Sequence, residues 1–213
     1  MKAILIYSGG LDSTTMLYEY RDSIALAVSF DYGSKHNAKE LAFAAEHCQK
    51  LGIPHRVIPL DFIGQYFRSD LLLSGGEIPV GNYADDNMKS TVVPFRNGIM
   101  LAVAAGLAES YDLDTVLLAN HGGDHAIYPD CRPEFIEAFD RAAEAGTYNG
   151  VRIVSPYCNL TKRDIALRGK GLGIDYSRTW SCYKGGEKHC GRCGTCTERK
   201  EALAGFDPTE YEE

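Results

Sequence analysis

Cys182, Cys190, Cys193 and Cys196 place four thiols within fifteen residues, at spacings of eight, three and three. Cys-x-x-Cys-x-x-Cys brings three sulfurs into one tight turn, which Gly185, Gly186, Gly191 and Gly194 permit. Four thiolates around Zn²⁺ make a closed tetrahedral site with Zn–S near ~2.3 Å, a site that holds structure and leaves no position open for catalysis. Such a set keeps roughly two negative charges after the metal's own charge is counted. Lys184, Lys188, Arg192, Arg199 and Lys200 stand close enough in sequence to offset them. An iron–sulfur cluster is the rival occupant, but Thr197-Glu198-Arg199 follows where such runs lead to a further cysteine and a proline. His189 is an alternative ligand that a fourth cysteine makes unnecessary. The chain has 7 cysteines, an odd number that argues against a disulfide framework. Cys48 and Cys158 read as small buried hydrophobes.

A second constellation, Ser8-Gly9-Gly10-Leu11-Asp12-Ser13-Thr14, runs straight into the helical pattern Thr15-Met16-Leu17-Tyr18. Paired glycines let the backbone turn sharply and approach a ligand. The helix start that follows carries unsatisfied N–H donors and partial positive charge, which suits a phosphate. The Gly-Lys-Ser/Thr of a Walker A loop is missing, and no Gly-x-Gly-x-x-Gly occurs. A plain glycine turn capped by Asp12 or Ser13 explains one or two of these residues, not the whole heptad. We expect nucleotide binding along the stretch Ser8 to Tyr18.

Apolar runs that read as buried parallel strands position these pieces: Ala3 to Tyr7, Ile24 to Phe30, Arg56 to Leu60, Thr115 to Ala119 and Val151 to Val154. Helical patterns lie between them at Asp12 to Tyr20, Ala38 to Leu51, Asn97 to Tyr111 and Arg132 to Ala145. Thr161 and Asp164 form a capping-box signature that opens one more helix toward Arg168. Alternation of this kind predicts an α/β parallel sheet with helices on both faces, whose ligands bind beyond the carboxyl ends of the strands. Phe62 to Phe95, with Gly75-Gly76, Pro79, Gly81 and Asp85-Asp86, lacks sustained periodicity and reads as a lid or interface segment.

Three further pieces follow strands or precede helices: Asp31-Tyr32-Gly33-Ser34-Lys35-His36, Val93-Pro94-Phe95-Arg96-Asn97, and Asp124 to Arg132 with Tyr128-Pro129-Asp130-Cys131-Arg132 at its end. Asn97 is placed to cap its helix, and Arg96 to reach a cleft, where Arg suits phosphate or carboxylate. Singly each has a mundane reading as turn, cap or solvated charge; together they argue for one shared cleft.

Ser-Gly-Gly-Leu-Asp-Ser resembles the signature of PP-loop ATP pyrophosphatases. With Tyr-Gly-x-x-His, Val-Pro-x-Arg-Asn, Tyr-Pro-Asp-Cys-Arg, Thr179-Trp180-Ser181-Cys182-Tyr183 and the four cysteines, the order from Ser8 to Arg199 resembles the 7-cyano-7-deazaguanine synthase family. The resemblance implies a PP-loop sheet of the adenine-nucleotide α-hydrolase-like kind over residues 1–175, with a zinc knuckle in 176–213. It implies a carbon–nitrogen ligase that turns 7-carboxy-7-deazaguanine and ammonia into the 7-cyano compound with ATP, Mg²⁺ and a structural zinc. The carboxylate and then the amide oxygen are adenylated, and each round releases AMP and pyrophosphate. Under it, Ser13 and Thr14 donate to pyrophosphate, and Asp12 orders the loop or meets Mg²⁺. Lys35 and Arg96 stabilise phosphate charge, and Arg132 takes the substrate carboxylate. Asp124 or Asp130 binds the guanine-like edge or a metal. His36 is either a proton acceptor for ammonium or a structural donor. Cys131 reads as packing, because adenylate chemistry needs no thioester.

The net charge of -7 and pI of about 5.4 favour a small molecule over nucleic acid as partner. The acidic tail Asp207 to Glu213 reads as solvated. No window approaches ~18 consecutive apolar residues, and the start, Met1 to Tyr7, is too short for a signal peptide. A cytoplasmic enzyme with no membrane partner is expected, homodimeric as the family commonly is. The competing readings are a PP-loop enzyme acting on tRNA, a relative modifying a protein or secondary metabolite, and a zinc-ribbon binding module without turnover.

Overall fold

The computed structural model describes residues 2–82 and 86–212. Residues 83–85 of the irregular segment, Met1, and Glu213 of the acidic tail lie outside them. Five parallel strands, β1 (Ala3–Ile6), β2 (Ile24–Asp31), β3 (His55–Pro59), β4 (Thr115–Leu117) and β5 (Arg152–Val154), form one sheet in the order β3-β2-β1-β4-β5. All five predicted strands are present, each within one or two residues of its predicted ends. Strand β1 is buried on both faces, as a central parallel strand must be when helices cover both sides.

Alternation along the strands builds two cores. Ile4, Ile6, Leu26, Val28, Phe30 and Val116 face one side. There they meet Leu101 and Ala104 of α4 (Arg96–Ser110) and Ile136 of α5 (Pro133–Gly146). Ala3, Leu5, Tyr7, Ala27 and Leu117 face the other. That side is covered by α1 (Leu11–Glu19), α2 (Asn37–Leu51) and α6 (Lys162–Gly171), through Met16, Leu17, Ala44 and Ile165. Leu101 is fully buried, so truncating it to Ala costs about 2–5 kcal/mol. The predicted capping box forms: Asp164 N donates to Thr161 Oγ1 at 3.1 Å and Thr161 N to Asp164 Oδ2 at 3.0 Å.

Two short helices escaped the sequence pattern, α3 (Asp61–Tyr66) and α7 (Gly194–Ala202). Residues 70–76 of the irregular segment are pinned by one side chain. Lys35 Nζ donates to the carbonyls of Asp70 (2.5 Å), Leu72 (2.7 Å) and Gly76 (2.9 Å). The chain of the C-terminal cysteines packs into the same core as β1 and β2: Cys182, Cys190, Cys193 and Cys196 are buried there beside Trp180.

Candidate active site

The sheet order reverses between β1 and β4, and a cleft of about 1110 Å³, its open mouth included, lies beyond the carboxyl ends of β1, β2 and β4. The loop Ser8–Ser13 forms one end of it. Ser13 Oγ lies 3.0 Å from Ser8 Oγ and accepts from Ser8 N at 3.3 Å, and Gly10 N donates to Ser8 Oγ at 3.1 Å. Gly10 is the N-cap of α1, and no side chain caps that helix. Its first-turn amides therefore remain open donors, the arrangement that receives an anion.

The two glycines have separate tasks. Gly9 has φ +87°, and a Cβ there would lie 2.3 Å from the Glu40 carbonyl oxygen, so its absence lets α2 press against the loop. Gly10 lines the cleft. The expectation of nucleotide contact thus narrows. Ser8, Gly10, Leu11, Asp12 and Ser13 line the cleft, whereas Gly9, Thr14, Thr15, Met16, Leu17 and Tyr18 do not. Thr14 Oγ1 pairs with Tyr7 OH at 3.2 Å, Thr15 Oγ1 with Tyr176 OH at 2.8 Å, and Tyr18 OH with His47 Nδ1 at 3.0 Å. Met16 and Leu17 are core. A helix that begins at Leu11 turns successive side chains around its axis, so only its first turn faces the cleft.

Beside Asp12 sits a lysine that the motifs did not single out. Lys162, first residue of α6, has its Nζ 3.2 Å from Asp12 Oδ2 and 2.8 Å from Glu198 Oε2. Burial draws its pKa down, but Asp12, Glu198 and Asp124 outweigh that and hold it above the ordinary lysine value. His121 completes the group: its Nδ1 accepts from Gly123 N at 3.0 Å, and its Nε2 lies 3.6 Å from Asp124 Oδ1 and 3.4 Å from Lys162 Nζ. Asp124 Oδ2 in turn accepts from His121 N at 3.0 Å.

The opposite end of the cleft is lined by Tyr32, His36, Arg96, Asn97, Tyr128, Cys131 and Tyr183, with Glu40 between the two ends. Arg96 reaches it as expected: Nη1 donates to Tyr32 OH at 3.1 Å, and Nε finds no partner. Asn97 does not cap α4. Phe95 is the N-cap residue, with φ +55°, and Asp130 Oδ2 accepts from Asn97 N at 2.8 Å. Asp130 is accordingly spent on a helix terminus and does not line the cleft. Arg132 is likewise turned away, its Nε donating to His125 O at 2.9 Å. Lys35, held by the carbonyls of the irregular segment, is absent from the lining too. These three side chains leave the cleft because each has a nearer backbone partner to satisfy. Polar atoms with no partner in the described structure include Asp12 Oδ1, His36 Nδ1 and Arg96 Nε, and all three residues line this one cleft. Unsatisfied buried groups are costly, and a ligand is what they lack.

The C-terminal segment closes the site. Trp180 N donates to Gly9 O at 3.1 Å, and Trp180, Ser181, Tyr183 and Thr195 line the cleft. Behind them one sulfur from each of Cys182, Cys190, Cys193 and Cys196 lies within 4.8 Å of the others. Cys190 N donates to Cys182 Sγ and Cys193 N to Cys190 Sγ, both at 3.4 Å. Four converging sulfurs, all buried and none in a disulfide, fit a metal ion. Arg199, fully buried, donates to Tyr176 O (2.6 Å), Thr209 Oγ1 (2.8 Å), Thr179 Oγ1 and Ser181 Oγ (both 3.0 Å). These hydrogen-bond partners are neutral; the anionic groups that act on it from further off are Asp207, Cys196 and Asp12.

The family model described as queuosine biosynthesis protein QueC matches residues 2–207. The chain belongs to the QueC family. Among curated relatives, a 7-cyano-7-deazaguanine synthase of Porphyromonas gingivalis is 67% identical, covering 99% of this chain and 97% of its own. Proteins of that name from Desulfotalea psychrophila and Rhizobium johnstonii are 54% and 50% identical, covering 98% and 100% of this chain and 98% and 93% of their own. The fold is also that of an NMN synthetase from Francisella tularensis, with TM-score 0.52 at 14% identity over 87% of this chain and 68% of that one. As a QueC-family member the chain has the PP-loop sheet, and among its described residues no helix is long and apolar enough to cross a membrane.

Proposed function

We propose that this chain is a 7-cyano-7-deazaguanine synthase, an ATP-dependent ligase that converts 7-carboxy-7-deazaguanine and ammonia to the nitrile in the cytoplasm. One observation carries the mechanism: a single cleft joins the open N-terminus of α1 and Lys162 at one end to Arg96 and a ring of tyrosines at the other. The first end suits the pyrophosphate of ATP, with Ser8, Gly10 and Ser13 around it. The second suits a flat aromatic substrate with a carboxylate, and Arg96, not Arg132, is the arginine within reach of it.

A carboxylate is a poor electrophile because oxide would have to leave. Transfer of AMP to it gives a mixed anhydride with a stable leaving group, and pyrophosphate departs toward Lys162 and the α1 amides. Such preorganised donors are typically the largest contribution to catalysis of this kind. Ammonia displaces AMP to give the amide; a second adenylation, on the amide oxygen, lets AMP leave again as the nitrile forms. Asp12, with Oδ1 unpartnered, is the group that would meet Mg²⁺, whose charge would neutralise the phosphates. The four cysteines hold zinc as a structural ion. A homodimer remains part of this reading by family resemblance.

Incubation with ATP, Mg²⁺, ammonium and 7-carboxy-7-deazaguanine, read by mass spectrometry, tests it. The nitrile, AMP and pyrophosphate are expected together. Pyrophosphate release without nitrile would keep the nucleotide assignment and reject the substrate.

A further inference from the structure

Ammonium is protonated at neutral pH and has no lone pair to attack with. A site that consumes it therefore needs a place for a small cation and an acceptor for its proton. We propose that Glu40 is that group, binding ammonium beside the adenylated carbonyl and taking one of its protons. This rests on the reading of the cleft as an amide-forming ligase.

Glu40 stands in the first turn of α2, one turn beyond His36, and lines the middle of the cleft with its side chain 15% exposed. The loop that receives phosphate presses on it: a methyl at Gly10 would lie 3.7 Å from Glu40 Oε1. A bare carboxylate beside a polyphosphate is repelled, so it must carry a proton or a cation when ATP is present. Its ion-pair contact, His36 Nε2 at 3.5 Å, supplies no fixed charge. Burial and the guanidinium of Arg96 push the pKa of His36 down to about 3, so the imidazole is neutral. The other carboxylates of the cleft are engaged, Asp12 with Lys162 and Asp124 with the turn at His121.

The surroundings also tune the group. Burial pushes the Glu40 carboxyl up to about 8, against an opposing pull from Arg96. The Tyr7 and Tyr32 phenols, both themselves raised by burial, interact with it across the cleft. An acid that weak accepts a proton from ammonium far more readily than an ordinary carboxylate does, the matching that general-base catalysis requires.

The step balances as follows. Glu40 takes one proton and the freed lone pair forms the C–N bond to the acyl carbon. The bond between the acyl carbon and the bridging oxygen breaks, with its electron pair leaving on AMP. A second proton, shed by nitrogen as the amide forms, goes to the departing phosphate oxygen.

The isosteric variant Glu40→Gln separates this role from others when three rates are measured: pyrophosphate exchange into ATP driven by the deazaguanine carboxylate, product formation with ammonium, and hydroxamate formation with hydroxylamine. Hydroxylamine is already uncharged at neutral pH and needs no proton acceptor before attack. We expect exchange within about twofold of the parent, ammonium-dependent product down about 10²-fold or more with a raised KM for ammonium, and hydroxamate formation preserved. Loss of exchange would make Glu40 part of adenylation and overturn the assignment. An equal loss with hydroxylamine and ammonium, or no loss with either, would overturn it as well. If the parent itself shows no carboxylate-driven exchange, the ligase reading falls, and the ammonium role with it.

Discussion

Nζ of Lys162 and Oδ2 of Asp12 lie 3.2 Å apart, joining the first turn of α1 to the first turn of α6 at the floor of the cleft. The pair holds a cation beside an open helix N-terminus, where an incoming anion finds both. Lys162→Met is expected to slow pyrophosphate exchange by about 10²-fold or more, with Lys162→Arg retaining part of the rate. A Met variant with the parent's rate would remove Lys162 from the reaction.

Lys35 is expected to matter for stability rather than for phosphate chemistry. Replacing it with Met leaves the carbonyls of Asp70, Leu72 and Gly76 without their donor. The cost is about 1–3 kcal/mol, read by denaturant unfolding, and protease cleavage within residues 69–76 should accelerate. Exchange kinetics should fall less than in Lys162→Met; an equal fall with unchanged stability would restore Lys35 to the active site.

The four sulfurs should bind one metal ion per chain, measured by elemental analysis, with zinc expected. Cys193→Ser, or a strong chelator, should remove the ion and lower the melting temperature, because the binding energy of a structural zinc is folding energy. A chelated protein that melts at the parent's temperature would show that the thiols need no ion.

Acid should destabilise the fold through His36. Its folded pKa, about 3, lies below the unfolded value near ~6.5, so the unfolded chain takes up more protons as pH falls. The neutral imidazole's contribution is complete above about pH 6.5 and is lost below it, by at most about 2 kcal/mol at pH 5. Glu40 acts oppositely: its raised pKa stabilises below about pH 4.5, and that contribution fades toward about pH 8. His47 and His55, also lowered by burial, slope the same way as His36. The informative comparison is therefore His36→Gln against the parent, which should lose less stability between pH 6.5 and 5. Parallel curves would contradict the shift.

Strand positions were legible in sequence because apolar runs such as Ala-Ile-Leu-Ile leave little choice in a sheet covered on both faces. The loop at Ser8 and the four cysteines were legible for a similar reason: local spacing alone specifies them. What stayed hidden depends on contacts far apart in the chain. Lys162 reads as the start of a capped helix until Asp12 and Glu198 are beside it, and Glu40 reads as a polar residue four positions after His36. Lys35, Asp130 and Arg132 were placed near the right sheet edge, but their spacing carries no information on which way a side chain turns. Helix α3 is only six residues long, too short for periodicity to register.

The close approach at Gly9 bears on how this chain can change over evolutionary time. Gly9 and Gly52 share a left-handed backbone, at φ +87° and +68°, yet nothing lies within 4 Å of a Cβ at Gly52. Position 52 asks only for a conformation, which asparagine also adopts at modest cost. Position 9 asks for that conformation and for empty space against a main-chain oxygen that no rotamer change can clear. A drifting sequence can pass through other residues at 52, whereas at 9 any exchange meets the backbone of α2 itself, so glycine is the one letter there that variation cannot rewrite without moving a helix.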